Sequence, residues 1–278
     1  YVSRRTPARR DYSQRKTPAI KNTVIALSVN INKIALLRNS RAGDFPNLLE
    51  YAQQCITLGA NGITVHPRPD QRHIHASDIP ALKNFLNNFP QIEFNIEGNP
   101  FADARGTYPG FMAVGQQSSP QQCTLVPDTD SQLTSDHGFN LQKDGERLRP
   151  IIQQLHAVGC RVSLFMDPDC EQISLAKAIG ADRIELYTGP YAEAYQNRKN
   201  DDKTWKNLLQ QHASAAAHAQ AIGLGVNAGH DLNTENLPAL VSALPMLDEV
   251  SIGHALTVDA LYNGLAHTIA AYKQALQH

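Results

Sequence analysis

Two histidines and two arginines stand close together just after the apolar run Gly62–Val65. They are His66, Arg68, Arg72 and His73. Arginine binds phosphate through a planar fork of N–H donors, and histidine gains or loses a proton near neutral pH. The segment therefore predicts an anion-binding site with a proton-transfer group beside it, although a solvated polar loop has a similar composition.

The run that precedes these residues is typical of a buried strand, and similar runs recur along the chain. β-Branched and apolar residues predict eight strands, at 24–29, 62–65, 92–96, 123–126, 161–165, 183–187, 225–227 and 249–252. Apolar residues at three- and four-residue spacing predict helices at 46–58, 78–89, 140–158, 169–179, 202–222, 234–244 and 255–276. Residues 98–121 are rich in Gly, Pro and Ser, which predicts a long loop with one short helix at 100–104.

Strands that alternate with helices, without a linker-like break, indicate an α/β fold. Eight such pairs predict a single (β/α)8 TIM barrel as the catalytic domain, over residues 23–278. The alternative is an open doubly wound sheet, but no Gly-x-Gly-x-x-Gly motif follows the first strand. A barrel of this kind builds its active site at the C-terminal ends of its strands.

Polar or ionisable residues mark the end of every predicted strand. In strand order they are Asn30, His66 with Arg68, Glu97, Thr134 in the following loop, Asp167, Glu185, Asn227 with Gly229 and His230, and Gly253 with His254. A single residue of this kind is as easily a satisfied core polar group as a functional one. Their recurrence on eight strands predicts an active site.

The last two strand ends predict a phosphate site. Residues 227–230 and 252–255 each place a glycine and a histidine before a helix, where backbone N–H groups and the helix dipole favour an anion. Loops after strands seven and eight often hold phosphate in such barrels. A second anion is expected near Arg41, Arg68 and His73, so two phosphate groups are predicted, on one substrate or on two.

Glu97 and Glu185 are expected to lie between the two anion sites, together with His66 and His230. Few water neighbours inside a barrel raise the pKa of a carboxyl group and suit it to general base catalysis. For Glu185 the alternative is a buried salt-bridge partner.

Composition narrows the function classes. The 278 residues carry a net charge of −1 and are 42% hydrophobic, so the chain can bury a large core and has no overall positive field for nucleic acid. No apolar run reaches the roughly 18 residues of a membrane span. The four scattered cysteines predict reduced thiols in a cytoplasmic protein, without a zinc site.

The first 22 residues differ from the rest of the chain. They contain seven basic residues and one acidic residue, which leaves a moderately acidic body. This composition predicts a basic, disordered tail over residues 1–22, with a transit peptide or a nucleic-acid-binding arm as the alternatives.

Eight segments resemble, in the right order, the pyridoxine 5′-phosphate synthases of the deoxyxylulose-phosphate-dependent vitamin B6 route. They are VNINKIALLRNSR (29–41), GITVHPR (62–68) with RHI (72–74), NIE (95–97), LVP (125–127), VSLFMD (162–167), IELYTG (184–189), VNAGH (226–230) and IGHA (252–255). No one motif is specific by itself, and the resemblance depends on their order across residues 23–277.

The resemblance implies a condensing, transferase-type enzyme. It would join 1-deoxy-D-xylulose 5-phosphate and 3-amino-2-oxopropyl phosphate into pyridoxine 5′-phosphate, releasing inorganic phosphate and water, with no metal or organic cofactor. It also implies a homo-octamer, with no nucleic-acid or membrane partner expected from the composition.

The same resemblance implies roles for individual residues. His66 and Glu97 would be general bases, His230 the general acid, and Glu185 a stabiliser of charged intermediates. The residues implied for the aminoketone phosphate are Asn30, Arg41, Gly253 and His254, and those for the deoxyxylulose phosphate are Arg68, His73 and Thr134.

Three features depart from the family pattern. The family has Asp-His where this chain has Asn32-Lys33, residues that are expected to touch the pentulose phosphate. It has Gly where this chain has Asp231, which would put a carboxylate near a phosphate unless the side chain points away. The segment after Glu97 is several residues longer. Lys33 is predicted to pair with a substrate phosphate, with Schiff-base chemistry as the alternative if the lysine is desolvated.

Other functions stay open from the sequence alone. They are a barrel enzyme that acts on another sugar phosphate, a metal-dependent hydrolase that uses His66, His230 and His254, and a non-catalytic binder of phosphorylated B6 compounds. No His-x-His ends the first strand, which argues against the hydrolase. The acid–base set of His66, Glu97 and His230 argues against a pure binder.

Overall fold

Eight parallel strands close into a barrel in chain order in the computed structural model, which describes residues 24–129 and 131–277. The strands are β1 (Ala26–Asn30), β2 (Gly62–Val65), β3 (Glu93–Gly98), β4 (Gln122–Leu125), β5 (Arg161–Met166), β6 (Arg183–Tyr187), β7 (Gly225–Gly229) and β8 (Glu249–Ile252). β1 pairs with both β2 and β8, which closes the barrel. The predicted (β/α)8 fold is confirmed, and the predicted tail at 1–22 lies outside the described residues.

Eleven helices surround this barrel in the described part of the chain. They are α1 (Asn32–Asn39), α2 (Leu48–Thr57), α3 (Asp78–Leu86), α4 (Phe111–Ser118), α5 (Leu141–Ala157), α6 (Cys170–Ala178), α7 (Gly189–Gln196), α8 (Asp202–Ala221), α9 (Leu237–Ala243), α10 (His254–Asn263) and α11 (Leu265–Ala275). The one helix predicted at 255–276 is two helices, because Gly264 between them has a φ of +78° that interrupts the helical backbone. Among the described helices none is long and apolar enough to cross a membrane.

The predicted short helix at 100–104 is wrong. Residues 102–104 have no regular structure, and Phe101 instead donates its backbone N–H to the side chain of Asn99 at 2.8 Å. The helix of this segment is α4, which buries Phe111 and Val114 one turn apart. The glycine and serine content of the segment concealed this apolar spacing in the sequence. The helices α1 and α7 were also not predicted, because each is only eight residues long.

The barrel interior is polar, whereas the opposite face of the strands packs against the helices. Ser28 and Thr64 share a hydrogen bond at 2.7 Å, and Asn95 bonds both Thr64 at 3.3 Å and Thr124 at 3.1 Å. Apolar residues alternate with these along the strands, as in Leu27 and Val29 on either side of Ser28. The closed barrel therefore places a layer of hydrogen-bonded polar groups beneath its C-terminal rim.

A buried arginine ties α1 to the segment between β2 and α3. Arg38 donates to both carboxylate oxygens of Asp78, at 2.7 and 2.9 Å, and to the carbonyl oxygen of His73 at 3.2 Å. Asn39 donates to the same carbonyl oxygen at 2.7 Å. The backbone at His73 is thus held by side chains from α1, although this segment has no secondary structure of its own.

Arg38→Met is expected to lower the free energy of unfolding by about 3 kcal/mol, because it leaves the largely buried carboxylate of Asp78 without its ion-pair partner. Urea denaturation measures the difference. The control is Arg149→Met, which removes an exposed arginine that also pairs with an acid, Glu146; its loss should stay below about 1 kcal/mol. Equal losses in the two variants would contradict the clamping role of Arg38.

Candidate active site

A cavity of about 430 Å³ opens at the C-terminal end of the barrel, where all eight strands or the loops after them contribute to its wall. Thirteen of the fourteen site residues predicted from the sequence line it: Asn30, Asn32, Lys33, His66, Arg68, His73, Glu97, Thr134, Glu185, His230, Asp231, Gly253 and His254. Arg41 does not; it is exposed in the turn after α1. Asp167, which follows β5, is also exposed and outside the cavity.

Glu97 lies at the end of β3 among polar groups from other strands. Its Oε2 is 3.8 Å from His66 Nδ1 and accepts a hydrogen bond from Asn30 Nδ2 at 3.3 Å, while Oε1 accepts one from Ser251 Oγ at 3.4 Å. Burial raises the pKa of Glu97 to about 7, and the negative charge of Asp128 contributes in the same direction. A carboxyl group that is half ionised at neutral pH is well suited to accept and return a proton.

His66 lies directly after β2 and is 6% exposed. Burial, followed by the positive charge of Arg68 and the proximity of His73, holds the pKa of His66 well below its usual value, so the imidazole is neutral. Its backbone N–H donates to the Asn32 side chain at 2.9 Å, which fixes the start of the segment. A neutral imidazole is able to act as a general base.

His73 is also kept neutral, and its hydrogen bond reveals which ring nitrogen carries the proton. Burial, with Arg68, lowers the pKa of His73 to about 3. The backbone N–H of Ile74 donates to His73 Nδ1 at 2.9 Å, so Nδ1 is unprotonated and the proton lies on Nε2. His73 is therefore a hydrogen-bond donor on a wall of the cavity.

Glu185, in β6, is buried, and its Oε2 has no hydrogen-bond partner among the described residues. Burial, followed by the charges of Glu97 and Glu249, raises the pKa of Glu185 well above its usual value. It forms no salt bridge within the described part of the chain, contrary to the alternative interpretation from the sequence. Gly229 makes room for it, because a Cβ there would overlap Glu185 Oε1.

His230 is held from both sides at the end of β7. Its Nδ1 lies 2.8 Å from Asp231 Oδ2, and its Nε2 lies 2.9 Å from Thr134 Oγ1. This hydrogen bond from His230 lowers the pKa of Asp231, so the carboxylate is ionised and Nδ1 is the donor. The carboxylate of Asp231 thus binds the imidazole of His230.

The turn that carries this pair has an unusual backbone. His230 and Asp231 have φ values of +89° and +56°, in the left-handed region that L-residues rarely adopt. Thr188 Oγ1 donates to the carbonyl oxygens of Gly229 and His230, at 2.7 and 2.6 Å. These bonds connect β6 to the turn and help to hold the strained conformation.

Asp128 and Ser251 are among the polar residues of the site that were not identified from the sequence. Asp128 is buried three residues beyond β4 and pairs with Arg68, and Ser251 in β8 donates to Glu97. Asp128 was detectable as the first acidic residue after the fourth strand, but Thr134, farther along the same loop, was predicted as the site residue of that loop. Ser251 was detectable from the alternation of polar and apolar residues in β8.

Comparison with known proteins gives a consistent result. The model of the family described as pyridoxal phosphate biosynthesis protein PdxJ matches residues 27–278. A pyridoxine 5′-phosphate synthase of Xanthomonas campestris pv. campestris is 54% identical over 246 residues, which cover 88% of this chain and 94% of the relative. Another, from Xylella fastidiosa, is 51% identical over 246 residues, covering 88% and 92%.

Solved structures share the architecture at low sequence identity. A protein of Aquifex aeolicus VF5 aligns with a TM-score of 0.60 and 13% identity over 93% of this chain and 95% of that chain. A 4-hydroxy-2-oxoglutarate aldolase aligns with a TM-score of 0.54 and 14% identity over 93% and 98%. At these identities the likeness concerns the fold alone.

Glu97→Gln is expected to stabilise the protein at alkaline pH. The pKa of Glu97 is raised from 4.5 to about 7 by folding, so the folded state is penalised as the pH rises above 4.5. The penalty approaches about 3 kcal/mol near pH 8 and is absent near pH 4. Urea denaturation should show the gain of the variant at the higher pH only.

The matched control is Glu146→Gln, which neutralises an exposed glutamate on α5. Its effect on the free energy of unfolding should be small at both pH values. A gain in Glu97→Gln that is independent of pH would contradict a raised pKa of Glu97.

Proposed function

The chain belongs to the PdxJ family of pyridoxal phosphate biosynthesis proteins and acts as a pyridoxine 5′-phosphate synthase, and we propose that the cavity at the C-terminal end of its barrel is where this synthesis occurs. The reaction condenses 1-deoxy-D-xylulose 5-phosphate with 3-amino-2-oxopropyl phosphate and releases phosphate and water. The observation that carries the proposal is the arrangement of Glu97, His66 and His230 around one cavity. The ring closure needs repeated proton transfers, for which the carboxyl group of Glu97, with a pKa of about 7, and the imidazole rings of His66 and His230 are suited.

Glu97 and the neutral His66 are the proposed general bases. They remove protons from the carbon and nitrogen atoms of the condensing substrates during Schiff-base formation, phosphate elimination and ring closure. His230 is the proposed general acid, which returns protons to departing oxygen atoms, and the hydrogen bond to Asp231 orients its ring. Glu185 presents a buried oxygen that has no partner among the described residues and that would accept an N–H of a charged intermediate.

Two groups of residues are proposed to hold the two phosphates. Gly253 and His254 begin α10, whose first N–H groups favour an anion, and Asn30 packs against Gly253; these residues are assigned to the aminoketone phosphate. Arg41 belongs to this group by resemblance, although its side chain is exposed outside the cavity. Arg68, the Nε2–H of His73 and Thr134 are assigned to the pentulose phosphate.

Asn32 and Lys33 are proposed to preserve this binding despite their departure from the family pattern. Asn32 accepts the His66 N–H, a task for which either an amide or a carboxylate oxygen suffices. Lys33 is exposed on the lining of the cavity, where it is solvated rather than buried. Pairing with a substrate phosphate suits a solvated ammonium, whereas a Schiff-base lysine requires desolvation.

Assembly into a cytoplasmic homo-octamer is proposed from the family resemblance. Four large apolar side chains are exposed on two helices that contact each other: Leu36 and Leu37 on α1, and Leu261 and Tyr262 on α10. Contact between copies would cover them. All four cysteines are free, in accord with a reducing compartment. A single-chain mass in light scattering would contradict the assembly.

The purified protein, given both phosphorylated substrates and no added metal, is expected to form pyridoxine 5′-phosphate. Glu97→Gln and His230→Asn should each lower kcat by about 10²- to 10⁴-fold, because each removes a proton-transfer group. Mass spectrometry identifies the product, and a phosphate assay follows turnover.

The control for these variants is His156→Asn, which changes a surface histidine that pairs with Asp182, neither of which lines the cavity. It should retain full activity. Full activity in Glu97→Gln or His230→Asn would refute the assigned roles, and phosphate release without a pyridine product would indicate that another acceptor completes the reaction.

Lys33→Gln is expected to raise KM for the pentulose phosphate about tenfold while kcat changes little, since an ion pair with a phosphate is lost. Steady-state kinetics with each substrate varied in turn measures both constants. Borohydride trapping of the wild-type protein with substrate should leave Lys33 unmodified in peptide mass spectra. A reduced adduct on Lys33 would instead support the Schiff-base alternative.

A further inference from the structure

Asp128 is a buried carboxylate to which the proposed mechanism has given no role. It is 4% exposed; its Oδ2 pairs with the guanidinium of Arg68 and accepts a hydrogen bond from Ser135 Oγ at 2.9 Å. Its Oδ1 is buried without a hydrogen-bond partner among the described residues. An incompletely satisfied buried carboxylate destabilises a fold, which points to a function for this one.

His66 lies between Asp128 and Glu97. Its Nε2 is 3.8 Å from Asp128 Oδ2, and its Nδ1 is 3.8 Å from Glu97 Oε2. Each ring nitrogen therefore faces one carboxylate, at a separation that commonly shortens when substrate binds. Because an ionised carboxylate only accepts hydrogen bonds, Asp128 favours the tautomer with the proton on Nε2 and leaves Nδ1 as the basic atom.

Asp128 also fixes the position of Arg68, whose side chain is 7% exposed. Arg68 and His66 form part of the wall between the main cavity and a second cavity of about 420 Å³, which Asp128 also lines. The described bond of Arg68 uses Nη2. Its remaining N–H donors have no partner among the described residues and are available to an anion.

We propose that Asp128 is a positioning residue of the synthase, which orients His66 through Nε2, holds Arg68 for a substrate phosphate and acts electrostatically on Glu97 across the His66 ring. The inference rests on the proposed roles of His66, Glu97 and Arg68. One carboxylate thus acts on three groups of the site: the base His66, the anion-binding Arg68 and the second base Glu97.

The groups around the two carboxylates determine the expected pH effect. Those facing Glu97 are Asn30 of β1, His66 and Arg68 after β2, Asp128 after β4, Glu185 of β6 and Ser251 of β8. After burial, Asp128 is the largest cause of the raised pKa of Glu97, whereas Ser251 and Arg68 lower it. Asp128 itself faces Arg68, His66 and Ser135.

Asp128→Asn keeps the shape of the side chain and removes its charge. Without the neighbouring negative charge the pKa of Glu97 falls, so the acid limb of kcat/KM, on which Glu97 becomes protonated, should move to lower pH by about one unit. The loss of the partner of Arg68 should raise KM for the pentulose phosphate about tenfold. Profiles of kcat and kcat/KM against pH measure both effects.

Two variants serve as controls. Asp128→Glu retains the charge and should keep the acid limb close to that of the wild type. Asp103→Asn removes an exposed carboxylate from the lining of the second cavity and should alter neither the limb nor KM. A folded Asp128→Asn with an unmoved limb overturns the inference.

Failure of the inference is distinguishable from failure of the proposed function. Full activity in Glu97→Gln would refute Glu97 as a base, whereas an inactive Glu97→Gln with an unmoved limb in Asp128→Asn refutes the inference alone. If Asp128→Asn does not fold, nitrogen-15 NMR of His66 in the wild-type protein decides. The Nε2–H tautomer is expected, and the Nδ1–H tautomer overturns the proposal.

Discussion

Burial of Glu97 and His66 at the C-terminal end of the barrel is the constraint on which the proposed chemistry depends. Burial moves the pKa of Glu97 up to about 7 and the pKa of His66 well below its usual value. These opposite shifts leave Glu97 half ionised and His66 neutral at the same pH, the states in which both proposed bases can accept a proton. On a protein surface neither pKa would be shifted so far from its usual value.

Maintaining these groups lowers the stability of the fold. Glu97, Glu185 and Glu249 are each held in surroundings that disfavour their charged forms. The polar layer inside the barrel offsets part of this cost; for example, Asn227 donates to Glu249 at 3.3 Å and accepts from Arg183 at 2.8 Å. At Glu97 and Glu185, stability and the proposed function therefore oppose each other.

The barrel was predictable because strand and helix periods alternate regularly, and the rule that sites lie at strand ends located most of the cavity lining. Pairings across the cavity were not predictable, since the distance from Asp128 to His66, or from Asp231 to His230, depends on how strands and turns are placed in space. The loop around 98–121 illustrates the same limit: the packing of Phe111 against Gly98, where a Cβ would overlap the ring, selects α4 despite a turn-like composition.

The contact between Gly229 and Glu185 has an evolutionary consequence. Their strands are paired neighbours, with Glu185 in register with Asn227, and a side chain at position 229 would overlap Oε1 of Glu185 unless that carboxylate moved. A substitution of Gly229 alone would displace the buried carboxylate of Glu185. If a smaller residue replaced Glu185 first, it would leave space for a side chain at position 229. In evolution, a substitution at position 185 is therefore expected to precede a substitution at position 229.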